Sequence, residues 1–238
     1  MTGSSKKDQV EYNEIFQDDK INEEEKAIKH LVMKKKAIIL DLDNTIYPVI
    51  SIGDQLFKSL FLLIRESGEY SGDFDQIRFE IMRRPFQFIA NDFSFSESLK
   101  ADCFKLLSNL IYDEKMQPFE GYKTLLTIPC RRFLVTTGYT KMQHSKIKQL
   151  GIENDFEKIF IIDPDQSTLT KRDIFEKILA DNNFEIEDVL VVGDDLNSEI
   201  LHAKALGIET VLYDYLSQFQ ESEDQNVIRN HKDLHRYL

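Results

Sequence analysis

The sequence predicts an α/β fold, a doubly wound parallel sheet with a small helical domain inserted into it. Three observations lead there. Short, unbroken apolar runs recur at Ala37–Leu40, 133–135 and 189–192, and such runs suit strands buried on both faces. From Tyr122 onward these strands alternate with stretches of helical period, joined by short connections, which is the order of a parallel sheet covered by helices on both sides. Between the first two runs lies a segment of about 70 residues whose apolar positions repeat at helical spacing.

The first strand, Ala37–Leu40, stops at the turn-forming segment Asp41-Leu42-Asp43-Asn44-Thr45. In the insertion, Leu56, Phe57, Leu60, Phe61 and Ile64 predict a helix ending near Gly68. Ile77, Ile81, Phe88 and Ile89 predict a second, interrupted at Pro85, because proline lacks the backbone donor a helix needs. Leu99, Cys103, Phe104, Leu106, Leu107 and Leu110 predict a third. A connection this long is expected to be a small domain of its own, over 49–119. Pro118-Phe119-Glu120-Gly121 marks the return. Strand 133–135 follows, then a helix through Lys146 to Leu150 that ends at Gly151. Next come strand Lys158–Ile162, a helix from Lys171 with Ile174, Phe175 and Ile178 on its apolar face, and strand 189–192. A helix over 199–206, ending at Gly207, and a strand at 210–212 close the pattern, so the core is expected over 31–48 and 120–238. Residues 1–30 mix acidic and basic side chains with at most a weak apolar stripe, and are expected to form a charged arm.

Asp41 and Asp43 stand one residue apart at the end of the first strand. Gly193-Asp194-Asp195 ends another, with Glu199 following. Carboxylates gathered at the mouth of a sheet repel one another and drift toward protonation unless a cation neutralises them. Between these clusters lie Thr136-Thr137-Gly138, also at a strand end, and Lys171. Open parallel sheets bind ligands beyond the carboxyl ends of their strands, where the strand order reverses. The three strand-borne clusters are therefore expected to form one site. Asp-x-Asp alone arises by chance in surface loops; the ordered set is what carries the expectation.

These four segments, Asp41-Leu42-Asp43-Asn44-Thr45, Thr136-Thr137-Gly138, Lys171 and Gly193-Asp194-Asp195-Leu196-Asn197-Ser198-Glu199, resemble the ordered motifs of the haloacid dehalogenase-like (HAD) hydrolase superfamily. The resemblance runs from about Lys36 to the region of Tyr213. It departs from the family pattern at Thr137, where Asn is frequent, and at Glu199, where Asp is commoner. It implies a HAD-like Rossmannoid core and a mobile helical cap over the site. It also implies that Asp41 and Asp194 ligate Mg²⁺ through their side chains, and Asp43 through its backbone carbonyl. On this reading Asp41 attacks phosphorus to form an aspartyl-phosphate, and Asp43 protonates the leaving oxygen and then activates water. Thr136 and Lys171 bind the phosphoryl oxygens, with Thr137 the alternative occupant of the threonine's place. Glu199 and Asp195 hold metal-bound water or Lys171 from behind. Taken singly, Lys171 reads as a solvated helix-start lysine and Asp195 as a helix cap.

Composition narrows the partners. At 238 residues, 42% apolar and 30% charged, the chain is globular rather than disordered. A net charge of −12 argues against nucleic acid or an anionic membrane as the main partner. Two cysteines, Cys103 and Cys130, build neither a disulfide framework nor a zinc site, and the five histidines are scattered. No run reaches membrane-spanning length and no signal-peptide apolar region opens the chain, so a cytoplasmic protein is expected. The expected function is Mg²⁺-dependent hydrolysis of a small phosphorylated metabolite, such as a nucleotide or sugar phosphate. A phosphotransferase or phosphomutase with the same motifs is the first alternative, and a non-enzymatic phosphate-sensing or interaction module the second. The sequence leaves the oligomeric state open.

Overall fold

The structure, a computed structural model, describes residues 35–238 apart from positions 221, 223 and 224. The charged arm expected over 1–30 lies outside the described residues. Six strands form one sheet: β1 (Ala37–Leu40), β2 (Arg131–Thr137), β3 (Lys158–Ile162), β4 (Val189–Gly193), β5 (Glu209–Tyr213) and β6 (Asn226–Ile228). Their spatial order is β3-β2-β1-β4-β5-β6, and every pairing is parallel. The expected doubly wound sheet is thus present. Strand order reverses between β1 and β4, so the crevice of the sheet opens where Asp41 and Asp194 follow their strands.

Alternation along each strand sends neighbouring side chains to opposite faces. Ile38, Leu40, Leu134, Leu190 and Val192 join one apolar interior. Ala37, Ile39, Phe133, Val135, Val189 and Val191 join the other, with Ile174, Phe175 and Ile178 of the helix Lys171–Asn182. Burial on both faces is why β1 and β4 read as unbroken apolar runs. Full burial of each Val, Leu, Ile or Phe among them contributes roughly 1.5–3 kcal/mol.

The insertion holds five helices: α1 (Ile50–Leu56), α2 (Lys58–Ser67), α3 (Phe74–Ile81), α4 (Phe86–Asp92) and α5 (Glu97–Leu107). The side chain of Asp73 caps α3 by accepting from the Gln76 backbone N–H, and Ser96 caps α5 through Leu99. Pro85 separates α3 from α4, as its missing donor predicts. The first apolar stripe forms two helices rather than one, because the chain turns at Phe57 between α1 and α2. The last helix ends at Leu107, short of Leu110. Leu60, Ile64, Ile77, Ile89 and Leu99 belong to the same interior as the first sheet face.

A short helix α6 (Tyr122–Leu125) leads back to β2. The remaining α-helices among the described residues are α7 (Thr140–Leu150), α8 (Lys171–Asn182) and α9 (Glu199–Ala205). Among the described residues no helix is long and apolar enough to cross a membrane.

Candidate active site

The carboxyl ends of β1, β2 and β4 converge on a cavity of about 180 Å³. Asp41, Asp43, Thr136, Thr137, Lys171, Asp194, Asp195 and Glu199 all line it, so the structure brings together every residue the sequence singled out for the site. The facing wall comes from the insertion and includes Phe57, Met82, Phe86 and Leu107, with Arg83 and Arg84 beside them. Arg84 is paired with Glu80 and Asp92. Arg83 donates to the side-chain oxygen of Gln218 at 2.8 Å.

Local structure aims each group. The backbone N–H of Asp41 donates to Val192 O at 3.0 Å, which extends the β1–β4 ladder by one rung and fixes Asp41 at the crevice. The chain then turns through Asn44, whose φ of 56° lies in the left-handed region that Asn tolerates better than most residues. Its side chain accepts from the Val49 backbone and donates to Met82 O. Lys171 is the first residue of α8, where Thr170 and Asp173 form a reciprocal capping box that sets the direction of the first turn. Glu199 is the first residue of α9, and its Oε1 accepts from the Asp195 backbone at 2.8 Å.

The central feature is a buried charge cluster. Lys171 Nζ donates to Asp41 Oδ1 at 2.6 Å and to Glu199 Oε2 at 2.7 Å. Carboxylate oxygens of Asp41, Asp194 and Glu199 lie within 4.8 Å of one another. Burial pushes the Asp41 carboxyl up to about 7, opposed by Lys171 and reinforced by Glu199. Burial, then Glu199 and Asp41, push Asp194 well above the usual carboxylate range. Burial also works against Glu199, but Lys171 and the backbone donors hold it below its ordinary value. Lys171 pays for its burial with two carboxylate partners, which keep it charged.

Were all three carboxylates ionised, they would leave an excess of two negative charges over the one ammonium. The donor set is all oxygen, the preference of a hard divalent cation such as Mg²⁺, and a cation there would relieve the protonation that burial forces on Asp41 and Asp194. These residues therefore fit the metal that the resemblance implies. Asp195 does not contact Lys171 through a hydrogen bond; its side chain accepts from the Asn197 backbone at 2.8 Å in the turn before α9.

Asp43 stands apart from this cluster. Its carboxylate accepts from Tyr47 Oη at 2.5 Å, from Lys146 Nζ at 2.9 and 3.0 Å, and from Gln143 Nε2 at 3.0 Å. Burial pushes Asp43 up, but Lys146 and the hydrogen bonds from Tyr47, Gln143 and Lys146 outweigh it and hold the group below its ordinary value. Thr136 is buried, and its hydroxyl accepts from Gln143 at 2.7 Å, whereas Thr137 is exposed and offers Gln143 its carbonyl. Gln143 and Lys146 were not among the expected site residues. The signal for them is a helix whose buried stripe, Met142, Gln143, Lys146, Ile147 and Leu150, contains two polar side chains.

A sequence model of the family described as haloacid dehalogenase-like hydrolase matches residues 35–207. The chain belongs to that family. This HAD-like chain is 35% identical over 82 residues to a glyceraldehyde 3-phosphate phosphatase of Pyrococcus abyssi, a stretch covering 34% of this chain and 34% of that protein. The chain thus spans about a third of that relative's length. It is 26% identical over 134 residues to the pyrophosphatase PpaX of Halalkalibacterium halodurans, covering 52% of this chain and 60% of that one. In fold it is similar to a HAD-like family protein of Streptococcus pneumoniae, with a TM-score of 0.65 at 19% identity over 87% of this chain and 99% of that one. The matched span runs from β1 through α9 and carries all four motifs.

Proposed function

We propose that this chain is a Mg²⁺-dependent phosphate monoester hydrolase that works through an aspartyl-phosphate on Asp41. The observation that carries the proposal is the cluster in which Lys171 bonds Asp41 and Glu199 beside Asp194, with Asp43 on the same cavity. The named phosphatase relatives agree with it.

Asp41 and Asp194 would hold Mg²⁺ by their side chains and Asp43 by its backbone carbonyl, since the Asp43 carboxylate is committed to Tyr47, Gln143 and Lys146. The bound ion would neutralise phosphate charge and let Asp41 stay ionised. Asp43 is ionised among its donors in this arrangement, and the dianionic phosphate arriving beside it would raise its pKa, so that it takes up a proton from solvent in place of one donor. Asp41 attacks phosphorus, and the bond to the leaving oxygen breaks as Asp43 delivers that proton to it. Asp43, now a carboxylate, takes a proton from water as that water attacks the same phosphorus. The bond to Asp41 breaks, and inorganic phosphate leaves with both aspartates restored. Lys171 and the Thr136 hydroxyl face the phosphoryl oxygens and offset their growing charge. The five helices over 49–119 act as the cap, whose Phe57, Met82 and Phe86 side chains cover the leaving group and exclude water. A small phosphorylated metabolite is the substrate class that suits a cavity of about 180 Å³.

Screening a panel of phosphorylated metabolites with Mg²⁺, with and without excess chelator, tests this. Phosphate release that stops on chelation is the expected result. Undiminished release in chelator, or no release from any phosphomonoester, would overturn it.

A further inference from the structure

We propose that Gln143 and Lys146 are positioning residues for Asp43. They hold its carboxylate at one place on the cavity wall and tie it to the hydroxyl of Thr136. The inference rests on the phosphatase reading above.

The two residues are three apart on α7, so they project from one face of the helix. Lys146 Nζ donates to both Asp43 oxygens, at 2.9 and 3.0 Å. Gln143 Nε2 donates to Asp43 Oδ2 at 3.0 Å and to Thr136 Oγ1 at 2.7 Å, with Thr137 O at 3.3 Å. Tyr47 completes the set at Asp43 Oδ1. A carboxylate has about four lone-pair positions, and here each oxygen has two donors. The side chain therefore has one supported orientation. Gln143 also decides the role of Thr136. A hydroxyl that accepts from an amide keeps its own proton for another acceptor, so Thr136 is set to donate into the cavity.

A purely structural ion pair explains less. Lys146 is 2% exposed and Gln143 1%, in a stripe otherwise made of Met142, Ile147 and Leu150. Two buried polar side chains there cost desolvation, and a buried ion pair is no more stabilising than well-packed apolar residues. What they support is a carboxylate that stays 28% exposed on the cavity side. Partners that orient metal-ligating side chains are commonly worth about 10–100-fold in activity, and the same scale is expected for partners that orient Asp43.

The test compares an alkyl phosphate, whose leaving oxygen needs protonation, with p-nitrophenyl phosphate, whose leaving group needs little. In Lys146→Met, kcat/KM for the alkyl phosphate should fall about 10–100-fold and that for p-nitrophenyl phosphate much less. Gln143→Leu should show the same bias, with an added loss shared by both substrates because Thr136 loses its anchor. If Lys146→Met fails to fold by thermal melting, Gln143→Leu decides. Losses equal for both substrates, or no loss, overturn the inference. Rapid-quench mass spectrometry of the wild type separates the two failures. A phosphate adduct on Asp41 with unbiased variants sinks the positioning role alone, whereas no adduct sinks the phosphatase reading and this inference with it.

Discussion

Gly193 and Glu199 share a space that admits no side chain at position 193. A Cβ built there would overlap the Glu199 carboxylate, the group that receives Lys171 and the Asp195 backbone. The glycine that ends β4 is thus needed for close approach rather than for an unusual φ, and it lets the first residue of α9 fold back over the strand end.

Gly193→Ala should therefore displace Glu199 and loosen Lys171. Overpacking of this kind costs roughly 1–3 kcal/mol. Urea denaturation should show that loss, and phosphate release should fall with it, because Lys171 loses one of its two anchors. A variant as stable and as active as the wild type would show that the Glu199 carboxylate has room to move.

Lys171 is the only cation hydrogen-bonded to both Asp41 and Glu199 among the described residues. Replacing it with Met leaves two buried carboxylates facing each other. Breaking a buried pair from one side costs about 3–5 kcal/mol, so Lys171→Met should unfold at markedly lower urea in chelator. Stability unchanged from the wild type would mean that the two acids are neutral without it.

This charge cluster was legible in the sequence because each of its members marks the end or start of a regular element. Asp41, Thr136 and Asp194 follow apolar runs too short and too unbroken to be surface strands, and Lys171 opens a helix of clear period. Gln143 and Lys146 were not legible, since Gln and Lys on a helix ordinarily face water. Their burial follows from a partner 100 and 103 residues away, and only the fold supplies it. The break at Phe57 carries no Pro or Gly to announce it, and β6 is three residues long among polar neighbours, too short for a periodic pattern.

His231 should make stability depend on pH. It is fully buried, stacked on Tyr213 with ring centroids 4.4 Å apart and edge-on to Tyr122. Burial pushes it down from 6.5 to about 4, and a backbone contact with Thr45 offsets this only in part. The titratable groups against it, Tyr122 and Tyr213, are themselves pushed up by burial and stay neutral. Between pH 6.5 and 4 the unfolded chain binds a proton that the folded chain refuses, so stability is full above 6.5 and is lost as pH falls toward 4. The loss should reach about 3 kcal/mol. Denaturation curves for wild type and His231→Phe across that window check it: the wild-type slope should be the steeper, and equal slopes would assign the acid sensitivity elsewhere.

The two aspartates of the first motif should differ in what their loss does. Asp41 sits against Lys171 and Asp43 against Lys146, so each keeps its own cation and the two are not interchangeable. Asp41→Asn keeps the shape but removes the attacking charge, and no phosphoenzyme should form. Asp43→Asn leaves the nucleophile intact but removes the group that activates water. With p-nitrophenyl phosphate it should still load Asp41 and then release phosphate slowly, by the 10²–10⁴-fold typical of general acid-base assistance. Mass spectrometry after rapid quench should find the adduct in Asp43→Asn and not in Asp41→Asn. Wild-type turnover in both variants would exclude an aspartyl-phosphate route, because no other arrangement of these two residues gives a covalent intermediate without Asp41 and its timely hydrolysis without Asp43.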